Sequence, residues 1–397
     1  MADVILVLNA GSSSIKFSAF DAQTAELACV LRGQIDGLFS SPHFAAFDAA
    51  GAQAGAHAWG DGASLDHAGA IAHIADFLRG HREGHRLTAV GHRVVHGGAR
   101  FIAPVLIDAS VLAELHTLTP LAPLHQPHNL KPIAIIAERN PALPQIACFD
   151  TAFHATMPPA ATTYALPAEW RTRWGLRRYG FHGLSHAYAS RRAGELIGAG
   201  SHRMVTCHLG AGASLAAVRD GRSVDTTMGF TPLEGLVMAT RSGSVDPGLV
   251  LWLLEHGSVS ERDLATTLEH ASGLQALAGT PDMREALRRR AAGDQAAELA
   301  LQVYLHRLRG AIAGMAAALD GLDALIFTGG VGERSAPVRE EACRGLEFLG
   351  VGLDVDANQR AAGDAEVTAE GVAARVLVIE AREDLEIAAQ VRGVLAA

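Results

Sequence analysis

Residues 4–20 combine apolar and polar positions in a pattern typical of a β-hairpin. The apolar run from Val4 to Leu8 predicts a buried strand, and the polar Asn9 follows it directly. A turn of glycine and serines comes next, and the alternating residues 15–19 predict a returning strand. Such a turn offers backbone N–H groups, hydroxyls and a nearby lysine, which suit an oxyanion such as phosphate. An ordinary serine-rich turn is the other interpretation.

The same pattern returns half a chain later, in residues 204–218, where His208 takes the place of Asn9. A third glycine turn, in residues 324–333, also follows a predicted strand and precedes a predicted helix. The repeat predicts a duplicated α/β domain with a cleft between the halves. Three glycine turns favour a nucleotide whose phosphates are bound from both sides. None matches the P-loop motif GxxxxGK[ST], and only GGVGER partly resembles the dinucleotide fingerprint.

The rest of the chain alternates predicted helices with loop-rich segments. Helices are predicted near residues 69–80, 129–139, 260–270, 282–291, 294–319, 336–349 and from about 384 onward. Residues 119–129, which contain three prolines, and residues 155–180 are predicted to be irregular. The domain change is placed near residue 150, so that the predicted domains comprise residues 1–150 plus 384–397 and residues 151–383.

Composition limits the classes of partner. A chain of 397 residues is longer than a single hydrophobic core usually accommodates, which favours two domains. The net charge of −9 argues against nucleic acid or an anionic membrane as the main partner, so phosphate chemistry must depend on locally placed cations. The 4 cysteines form no CxxC pair, and no apolar run approaches the ~20 residues of a membrane span. A reducing, cytoplasmic setting is therefore expected.

Charged and polar residues follow several predicted strands, where ligands of α/β sheets are usually bound. Arg93 and Arg241 lie in loops with glycine or small residues, from which a guanidinium can form a bidentate contact with phosphate or carboxylate. For either arginine alone, a surface loop residue is the alternative. Asn9, Asp150 and Glu383 each come after a predicted strand and offer oxygen ligands suited to Mg²⁺ with its waters.

Histidine is frequent, with 19 residues, but the sequence has no HExxH motif and no Cys/His cluster. His182 and His186 are four residues apart at the start of a predicted helix, where one face could hold both. A zinc site needs more ligands than two. A role of His182 as a hydrogen-bond donor to phosphate is therefore favoured.

Nine ordered motifs between residue 5 and about residue 390 together resemble the acetate kinase family. They are LVLNAGSSSIKF, GHRVVHGG, LAPLHQPHN, FDTAFH, RRYGFHGLSH, CHLGAGASLAAV, DTTMGFTPLEGL, ATRSGSVDPG and FTGGVGERSA. The resemblance implies a duplicated actin-like (ribonuclease H-like) two-domain α/β fold of the sugar kinase/Hsp70/actin superfamily, with the active site in an interdomain cleft. It further implies reversible phosphorylation of acetate by ATP with Mg²⁺, or Mn²⁺ in its place, and a homodimer formed through the helical second half.

The resemblance also implies roles for individual residues. Asp150 is expected to be the catalytic carboxylate, and His182 and Arg241 are expected to stabilise the transition state. The other implied contacts are Asn9 and Glu383 with Mg²⁺; Ser12, Ser14 and Lys16 with the phosphates; His208, Leu209, Gly210, Ala211, Gly212, Asp282, Met283, Arg284, Gly330, Val331, Gly332, Glu333 and Arg334 with the nucleotide; and Arg93, Val95, Leu124, Phe181 and Pro232 with the substrate. Because acetate is already ionised at neutral pH, Asp150 is better interpreted as positioning Mg²⁺ or an arginine than as a base.

Three positions depart from the family pattern. Ala211 and Arg334 stand where asparagines are usual, which puts nucleotide affinity and base preference in question, and Gln126 stands where Asn is commoner. Propionate or butyrate remains an alternative substrate, because one methylene is worth only about 1–3 kcal/mol of discrimination. A nucleotide-dependent binding protein of the Hsp70/actin type is the alternative from another class. A dinucleotide-dependent dehydrogenase is disfavoured by the missing fingerprint.

Overall fold

A computed structural model describes residues 2–60, 62–80, 85–198 and 202–397. The chain forms two compact units, Met1–Ala152 with Arg382–Ala397, and Phe153–Ala381. The return to the first unit at Arg382 places Glu383 in that unit, whereas the sequence-based boundary assigned it to the second. Within the described residues, no helix combines the length and apolar character needed to cross a membrane.

The regular elements are numbered in chain order. The strands are β1 Ala2–Ala10, β2 Ser14–Asp21, β3 Cys29–Asp36, β4 His43–Asp48, β5 Gln53–Ala58, β6 His85–Val94, β7 Val105–Leu106, β8 Gln145–Phe149, β9 Arg203–Leu209, β10 Ala213–Arg219, β11 Arg222–Thr226, β12 Ala324–Thr328, β13 Ala365–Glu366 and β14 Arg375–Val378. The helices are α1 His67–Gly80, α2 Ala109–Thr117, α3 Gln126–Arg139, α4 Pro159–Thr162, α5 Ala168–Trp174, α6 Gly183–Ile197, α7 Pro247–His256, α8 Glu261–His270, α9 Gly273–Ala278, α10 Met283–Ala291, α11 Gln295–Ala318, α12 Gly329–Arg334, α13 Ala336–Cys343, α14 Val355–Arg360 and α15 Glu383–Ala396.

The sheet of the first unit has the strand order β5-β4-β3-β2-β1-β6-β8-β7. Strands β1 and β2 form the predicted hairpin, in which Asn9 pairs with Lys16. Strand β6 runs parallel to β1 on its other side, and β8 runs parallel to β6. Because β1, β6 and β8 are parallel, their carboxyl ends lie along the same edge of the sheet, and Asn9, Arg93 and Asp150 are at or next to these ends.

The continuous apolar run of β1 is explained by burial of both faces of the strand. Val4, Leu6 and Leu8 belong to a core cluster that includes side chains of α1 and α3. The intervening Ile5 and Val7 are also buried. Helix α15 packs so closely on β6 that a Cβ at Gly91 would meet Ile387 at 2.6 Å. The final helix of the chain therefore completes the core of the first unit.

The sheet of the second unit has the strand order β11-β10-β9-β12-β14-β13. Strands β9 and β10 form an antiparallel hairpin, β12 runs parallel to β9, and β14 runs parallel to β12. The first unit shows the same arrangement in β3-β2-β1-β6-β8, and each sheet then ends in a short antiparallel strand. The duplication predicted from the repeated hairpin pattern is therefore confirmed, and β4 and β5 extend the first sheet only.

Several predicted boundaries differ from the structure. Helix α3 begins at Gln126, inside the segment predicted to be irregular, because proline is tolerated in a first helical turn. The predicted helix over 336–349 ends at Cys343, since Gly345 takes φ +91°. Residues 155–180, predicted as loops, contain the short helices α4 and α5. The glycine turn predicted in 324–333 is itself the helix α12. It begins at Gly329 with φ +77°, where a Cβ would lie 2.9 Å from the Leu209 carbonyl oxygen.

Candidate active site

The turn between β1 and β2 is held by hydrogen bonds from two helices. Asn129 of α3 donates from Nδ2 to the Ala10 carbonyl oxygen at 2.8 Å, and its Oδ1 accepts from the Val95 N–H at 3.0 Å. His67 of α1 contacts the Gly11 carbonyl oxygen through Nε2 at 2.9 Å. Burial lowers the pKa of His67, which favours the neutral ring that donates this bond.

The predicted phosphate-binding side chains surround this turn. Ser12 and Lys16 are exposed, and Ser14 is partly exposed. Inside the turn, the Gly11 N–H donates to the Ser14 carbonyl oxygen at 2.8 Å. The backbone of the turn is thus fixed while its hydroxyl and ammonium groups reach solvent. Sequence reasoning missed Asn129 and His67, although Asn129 lies within the quoted motif LAPLHQPHN.

Arg93, Asp150 and Glu383 meet at the carboxyl edge of the first sheet. Arg93 donates from Nη2 to Asp150 Oδ2 at 2.7 Å and from Nε to Asp150 Oδ1 at 3.1 Å. Its Nη1 lies 3.7 Å from Glu383 Oε2. Parallel pairing of β6 with β8 sets Arg93 opposite Cys148, two residues before Asp150. The register of the two strands therefore brings Arg93 close to Asp150.

Burial determines the electrostatics of this group. The Asp150 side chain is 1% exposed, whereas those of Arg93 and Glu383 are 24% and 21% exposed. Burial raises the pKa of Asp150, and the Arg93 guanidinium opposes that shift. Burial alone would lower the pKa of Arg93, but Asp150 and Glu383 more than compensate and raise it. Because both oxygens of Asp150 accept from Arg93, the carboxylate is placed to orient the guanidinium.

The predicted metal ligands Asn9 and Glu383 both belong to the first unit. Asn9 lies near the end of β1, and Glu383 is the first residue of α15, which packs on β1 and β6. Within the described ranges, no group of three or more His, Cys, Asp or Glu side chains is arranged to hold a metal ion. The amide oxygen of Asn9 and the Glu383 carboxylate still fit Mg²⁺, which typically uses one or two carboxylates and completes its octahedron with water and substrate phosphates.

His182 begins the second set of candidate residues, in the other unit. It is the N-cap of α6 and adopts a left-handed conformation with φ +56°. Its Nδ1 lies 2.9 Å from Ser214 Oγ, and its ring stacks on His208 with 4.4 Å between ring centroids. His208 in turn contacts Ser185 Oγ through Nδ1 at 2.7 Å. These contacts fix the orientation of the His182 ring.

Gly212 lies between His182 and Arg241. A Cβ built on Gly212 would be 3.2 Å from His182 Nε2 and 3.6 Å from Arg241 Nη1, so both groups lie close to Gly212 and a larger residue there would crowd His182. Arg241 Nη1 also donates to the Pro232 carbonyl oxygen at 3.3 Å. Burial lowers the pKa of Arg241, with opposition from Glu269, because the guanidinium charge is poorly hydrated.

A cavity of about 510 Å³ in the second unit lies beside the same loop. Residues predicted to contact nucleotide line it together with others that sequence reasoning missed. The predicted ones are Gly210, Ala211, Asp282, Met283, Arg284, Gly330, Val331 and Arg334, and the additional ones are Ala239, Leu274, Pro281, Leu287, Tyr304, Ser335 and Pro337. Leu287 lies four residues after Met283, one turn further along α10, so its place beside Met283 could have been predicted from the sequence. No neighbouring residue indicates that Tyr304 on α11 reaches the cavity.

Leu209, Gly332 and Glu333, which are also predicted nucleotide residues, have mainly structural contacts, and an ion pair lines the cavity. Leu209 and Gly332 are buried. Glu333 accepts the Ala381 N–H at 2.9 Å, and burial raises the pKa of its carboxyl group. Arg284 is paired with Asp282, the N-cap of α10, through Nη2 and Oδ2 at 2.8 Å. The cavity therefore has an ion pair on one wall and the glycine-rich start of α12 on another.

The four apolar residues predicted to contact the substrate lie in both units. Val95 is 8% exposed and follows β6, and Leu124 is 48% exposed just before α3. In the second unit, Phe181 is buried next to His182, and Pro232 accepts the hydrogen bond from Arg241. Val95 is thus two residues from Arg93, and Phe181 and Pro232 adjoin His182 and Arg241.

The duplicated sheets give the fold of the sugar kinase/Hsp70/actin superfamily, and comparison with known proteins defines the family. Residues 4–389 match the acetokinase family. Acetate kinases of Rhodopseudomonas palustris (strain ATCC BAA-98 / CGA009) and Streptomyces coelicolor are each 45% identical to the chain. These alignments cover 98% of both chains for the former, and 97% of this chain and 95% of the relative for the latter.

Solved structures agree with this assignment. The crystal structure of Porphyromonas gingivalis acetate kinase matches with a TM-score of 0.90 and 35% identity, over 99% of this chain and 100% of that one. A propionate kinase from Francisella tularensis subsp. tularensis SCHU S4 matches with a TM-score of 0.90 and 35% identity, over 98% of each chain. The chain belongs to the acetokinase family. It is a kinase that transfers phosphate to a carboxyl group, which confirms the predicted fold class and enzyme class.

Proposed function

We propose that the chain catalyses reversible transfer of the γ-phosphoryl group of ATP to acetate, forming acetyl phosphate and ADP. The observation that carries this proposal is the position of Gly212. Its loop lines the 510 Å³ cavity through Gly210 and Ala211, while His182 and Arg241 converge on Gly212 itself. Hydrogen-bond donors therefore lie beside a cavity large enough for a nucleotide, where the charge of a transferring phosphoryl group needs them.

The acceptor carboxylate is bound by Arg93 in this proposal. A guanidinium matches a carboxylate geometrically, and Asp150 fixes the plane of Arg93 through Nε and Nη2. An acetate oxygen attacks the γ-phosphorus as the bond from phosphorus to the bridging oxygen of ADP breaks. Because acetate is already ionised at neutral pH, no side chain removes a proton.

His182 and Arg241 stabilise the phosphoryl oxygens during transfer. Arg241 is partly buried, so its charge is less screened by water than that of an exposed side chain and interacts more strongly with an anion brought close to it. Asn9 and Glu383 would hold Mg²⁺, which supplies charge neutralisation at the nucleotide phosphates when bound. Mn²⁺ would fit the same oxygen ligands. Ser12, Ser14 and Lys16 offer donors to the phosphates from a turn of fixed backbone.

Acetate is expected to be preferred over propionate by about tenfold in kcat/KM, the discrimination that one methylene gives in an apolar pocket. The acetate kinases at 45% identity support this choice. Propionate is the second candidate because the Francisella propionate kinase matches with the same TM-score and identity as the Porphyromonas acetate kinase. Trapping of the acyl phosphate with hydroxylamine, in parallel reactions with acetate, propionate and butyrate, measures the preference.

A reaction without carboxylate serves as the control in this assay, since no acyl phosphate can form in it and any signal it gives is background. A higher kcat/KM for propionate would retain the mechanism and change the substrate. No acyl hydroxamate from any of the three acids, in protein that binds ATP, would contradict the kinase proposal and support a nucleotide-dependent binding protein.

A homodimer through the second unit is also proposed. Helix α7 is apolar over most of its length, yet none of its residues is buried. Leu249, Leu251 and Trp252 on this helix are 48%, 59% and 54% exposed. A helix of this composition is normally covered by other protein, and a second copy of the chain is the expected cover.

Trp252→Glu is expected to weaken dimerisation about 10²-fold, because it places a charge in an apolar interface where aromatic residues contribute most of the affinity. Multi-angle light scattering across micromolar concentrations measures the mass. Glu255→Gln on the same helix is the matched control and is expected to remain dimeric. Monomeric wild-type protein, or a dimeric Trp252→Glu variant, would contradict this interface.

We also propose a cytoplasmic location. The 4 cysteines, Cys29, Cys148, Cys207 and Cys343, are all free thiols, and three of them are buried. Free thiols suit a reducing compartment, which is also where ATP is available.

A further inference from the structure

Tyr164, Arg178 and Glu234 form a hydrogen-bonded group in the second unit, which we call the Glu234 clamp. Arg178 donates from Nη2 to Glu234 Oε1 at 2.7 Å, and the Tyr164 hydroxyl donates to Glu234 Oε2 at 2.6 Å. The Arg178 guanidinium also lies over the Tyr164 ring, 5.7 Å from its centroid. Burial, together with the hydrogen bond to Glu234, raises the pKa of Tyr164 to about 12, so the hydroxyl remains a donor at neutral pH. Both oxygens of the Glu234 carboxylate are therefore engaged.

The clamp also binds the backbone of the segment that follows β11. Arg178 Nη1 lies 3.1–3.3 Å from three successive carbonyl oxygens, those of Thr226, Thr227 and Met228. The Phe230 N–H donates to the Tyr164 hydroxyl oxygen at 2.9 Å. Because the same two side chains bind this backbone and the Glu234 carboxylate, the segment from residue 226 to residue 234 is held along its whole length.

Gly229 leaves the space in which the clamp closes. A Cβ at this position would overlap Glu234 Oε2 and the Tyr164 hydroxyl oxygen, so a larger residue would displace the carboxylate from its donors. The Gly229 backbone is itself fixed, because its carbonyl oxygen accepts the Tyr179 N–H at 3.1 Å. A substitution at Gly229 therefore disturbs the clamp while all three of its side chains remain present.

The segment held by the clamp leads directly into the loop of residues 235–244, which carries Arg241. Two hydrogen bonds close the base of this loop: the Gly235 N–H donates to Ser244 Oγ at 3.1 Å, and the Ser244 N–H donates to the Gly235 carbonyl oxygen at 3.0 Å. Gly235 follows Glu234 directly in the chain. The Pro232 carbonyl oxygen, two residues before Glu234, accepts from Arg241 Nη1 at 3.3 Å. Glu234 thus lies between the base of the loop and the carbonyl group that contacts the guanidinium.

The orientation of the Arg241 guanidinium depends on this backbone. In the part of the chain that the structure describes, its hydrogen bonds go to the Pro232 carbonyl oxygen and, at 3.9 Å, to the soft acceptor Met238 Sδ. Arg93 in the first unit differs, because both oxygens of Asp150 orient its guanidinium. A shift of the Pro232 carbonyl or of the loop base would therefore change where the Arg241 side chain points.

We infer that Tyr164, Arg178 and Glu234 are positioning residues, which orient the Arg241 guanidinium through the Pro232 carbonyl and the base of the loop. This inference rests on the proposed kinase reaction and deepens the role proposed there for Arg241. Outer partners that orient a functional group typically change its activity by about 10–100-fold when they are removed, as is seen around metal-bound histidines. Because the clamp acts through Arg241, its effect on catalysis should disappear when that guanidinium is absent.

Tyr164→Phe removes one hydroxyl group from the clamp and retains the ring beneath Arg178. In the full-length protein, we expect kcat for acyl phosphate formation to fall about tenfold, with KM for ATP changed little, because the guanidinium is misplaced while the nucleotide cavity is unaltered. Glu234→Gln should give a similar loss, since its amide group turns an N–H toward one of the two donors. The acyl phosphate is trapped as hydroxamate, and the unfolding temperature of each variant is measured to detect a folding defect.

Combination with Arg241→Ala separates positioning from a structural role. Without the guanidinium there is nothing left to orient, so Tyr164→Phe should lower kcat by less than about twofold in the Arg241→Ala background. A general loss of structure would instead lower kcat by the same factor in both backgrounds. Gly229→Ala displaces Glu234 and keeps all three clamp side chains, and it is expected to show the same loss of kcat and the same dependence on Arg241.

Tyr179→Phe and Glu341→Gln are the matched controls in the same unit. The first removes a phenol hydroxyl that donates to the Gly175 carbonyl oxygen at 3.1 Å, and the second alters a carboxylate that pairs with Arg290 at 2.6 Å. Both should retain the kcat of the wild type. An unchanged kcat in Tyr164→Phe, or losses that multiply with that of Arg241→Ala, would overturn the positioning role alone. A wild-type protein that forms no acyl phosphate would overturn the proposed reaction and the inference together.

Discussion

Replacement of Arg241 by alanine is expected to lower kcat for acyl phosphate formation by about 10²–10³-fold, with KM for acetate changed little. One preorganised donor to developing charge is typically worth this much, because it acts in a site with little water. Arg241 is partly buried, and a Cβ built on Gly212 would lie 3.6 Å from its Nη1 and 3.2 Å from His182 Nε2, so both groups adjoin Gly212. Steady-state kinetics with ATP and acetate, with the acyl phosphate trapped as hydroxamate, measures the change.

Two further variants make the Arg241 experiment specific. Arg241→Lys retains the charge and loses the planar fork, so an intermediate kcat is expected. Arg192→Ala removes a guanidinium of the same unit that pairs with Asp364 at 2.7 Å outside the candidate site, and kcat should stay at the wild-type level. If Arg241→Ala retained kcat within threefold of wild type, the transition-state role would have to be abandoned.

Local patterns predicted the elements of this fold well. The β1–β2 and β9–β10 hairpins have the strand, polar residue and small-residue turn that residues 4–20 and 204–218 share. Such patterns are reliable because strand burial and turn geometry are decided by neighbouring residues. The repeat predicted the duplicated α/β domain, and the resemblance to the acetate kinase family implied the actin-like fold class.

The contacts of the site were less predictable, since they join distant parts of the chain. Asn129 supports the turn at Ala10 from 119 positions away. Tyr304 reaches the cavity from the middle of α11, where its spacing indicates only a buried helix face. Parallel pairing does allow one long-range inference, because residues after adjacent parallel strands share an edge, and Arg93 and Asp150 meet there.

The differences at element boundaries have a common physical cause. Proline in residues 119–129 suggested irregular backbone, yet Pro127 occupies the first turn of α3, where no N–H is needed. The glycines of residues 329–332 suggested a turn, yet only Gly329 has a positive φ and the rest continue as helix α12. In both segments the residue type permits two structures, and the packing around it selects one.

Asp150 and Arg93 are expected to act as one unit in catalysis, so their mutational effects should not multiply. Arg93→Ala removes the group that binds the carboxylate, and Asp150→Ala leaves Arg93 without the two hydrogen bonds that orient it. Each variant is expected to lower kcat/KM for acetate about 10²-fold. The double variant should then be lower by about the same factor, rather than by 10⁴, because the second change removes a contact already lost.

If Asp150 acted as a general base, the comparison of the two single variants with the double variant (a double-mutant cycle) would give a different result. A base would contribute independently of substrate binding by Arg93, so the two losses would combine to about 10⁴-fold. The matched control is the same set of single and double variants at Arg192 and Asp364, whose ion pair is also 2.7 Å long but lies outside the site. Arg192→Ala, Asp364→Ala and the double variant should hardly change kcat/KM. The geometry favours the positioning role, because Asp150 is buried, both of its oxygens accept from Arg93, and an ionised acceptor offers no proton to remove.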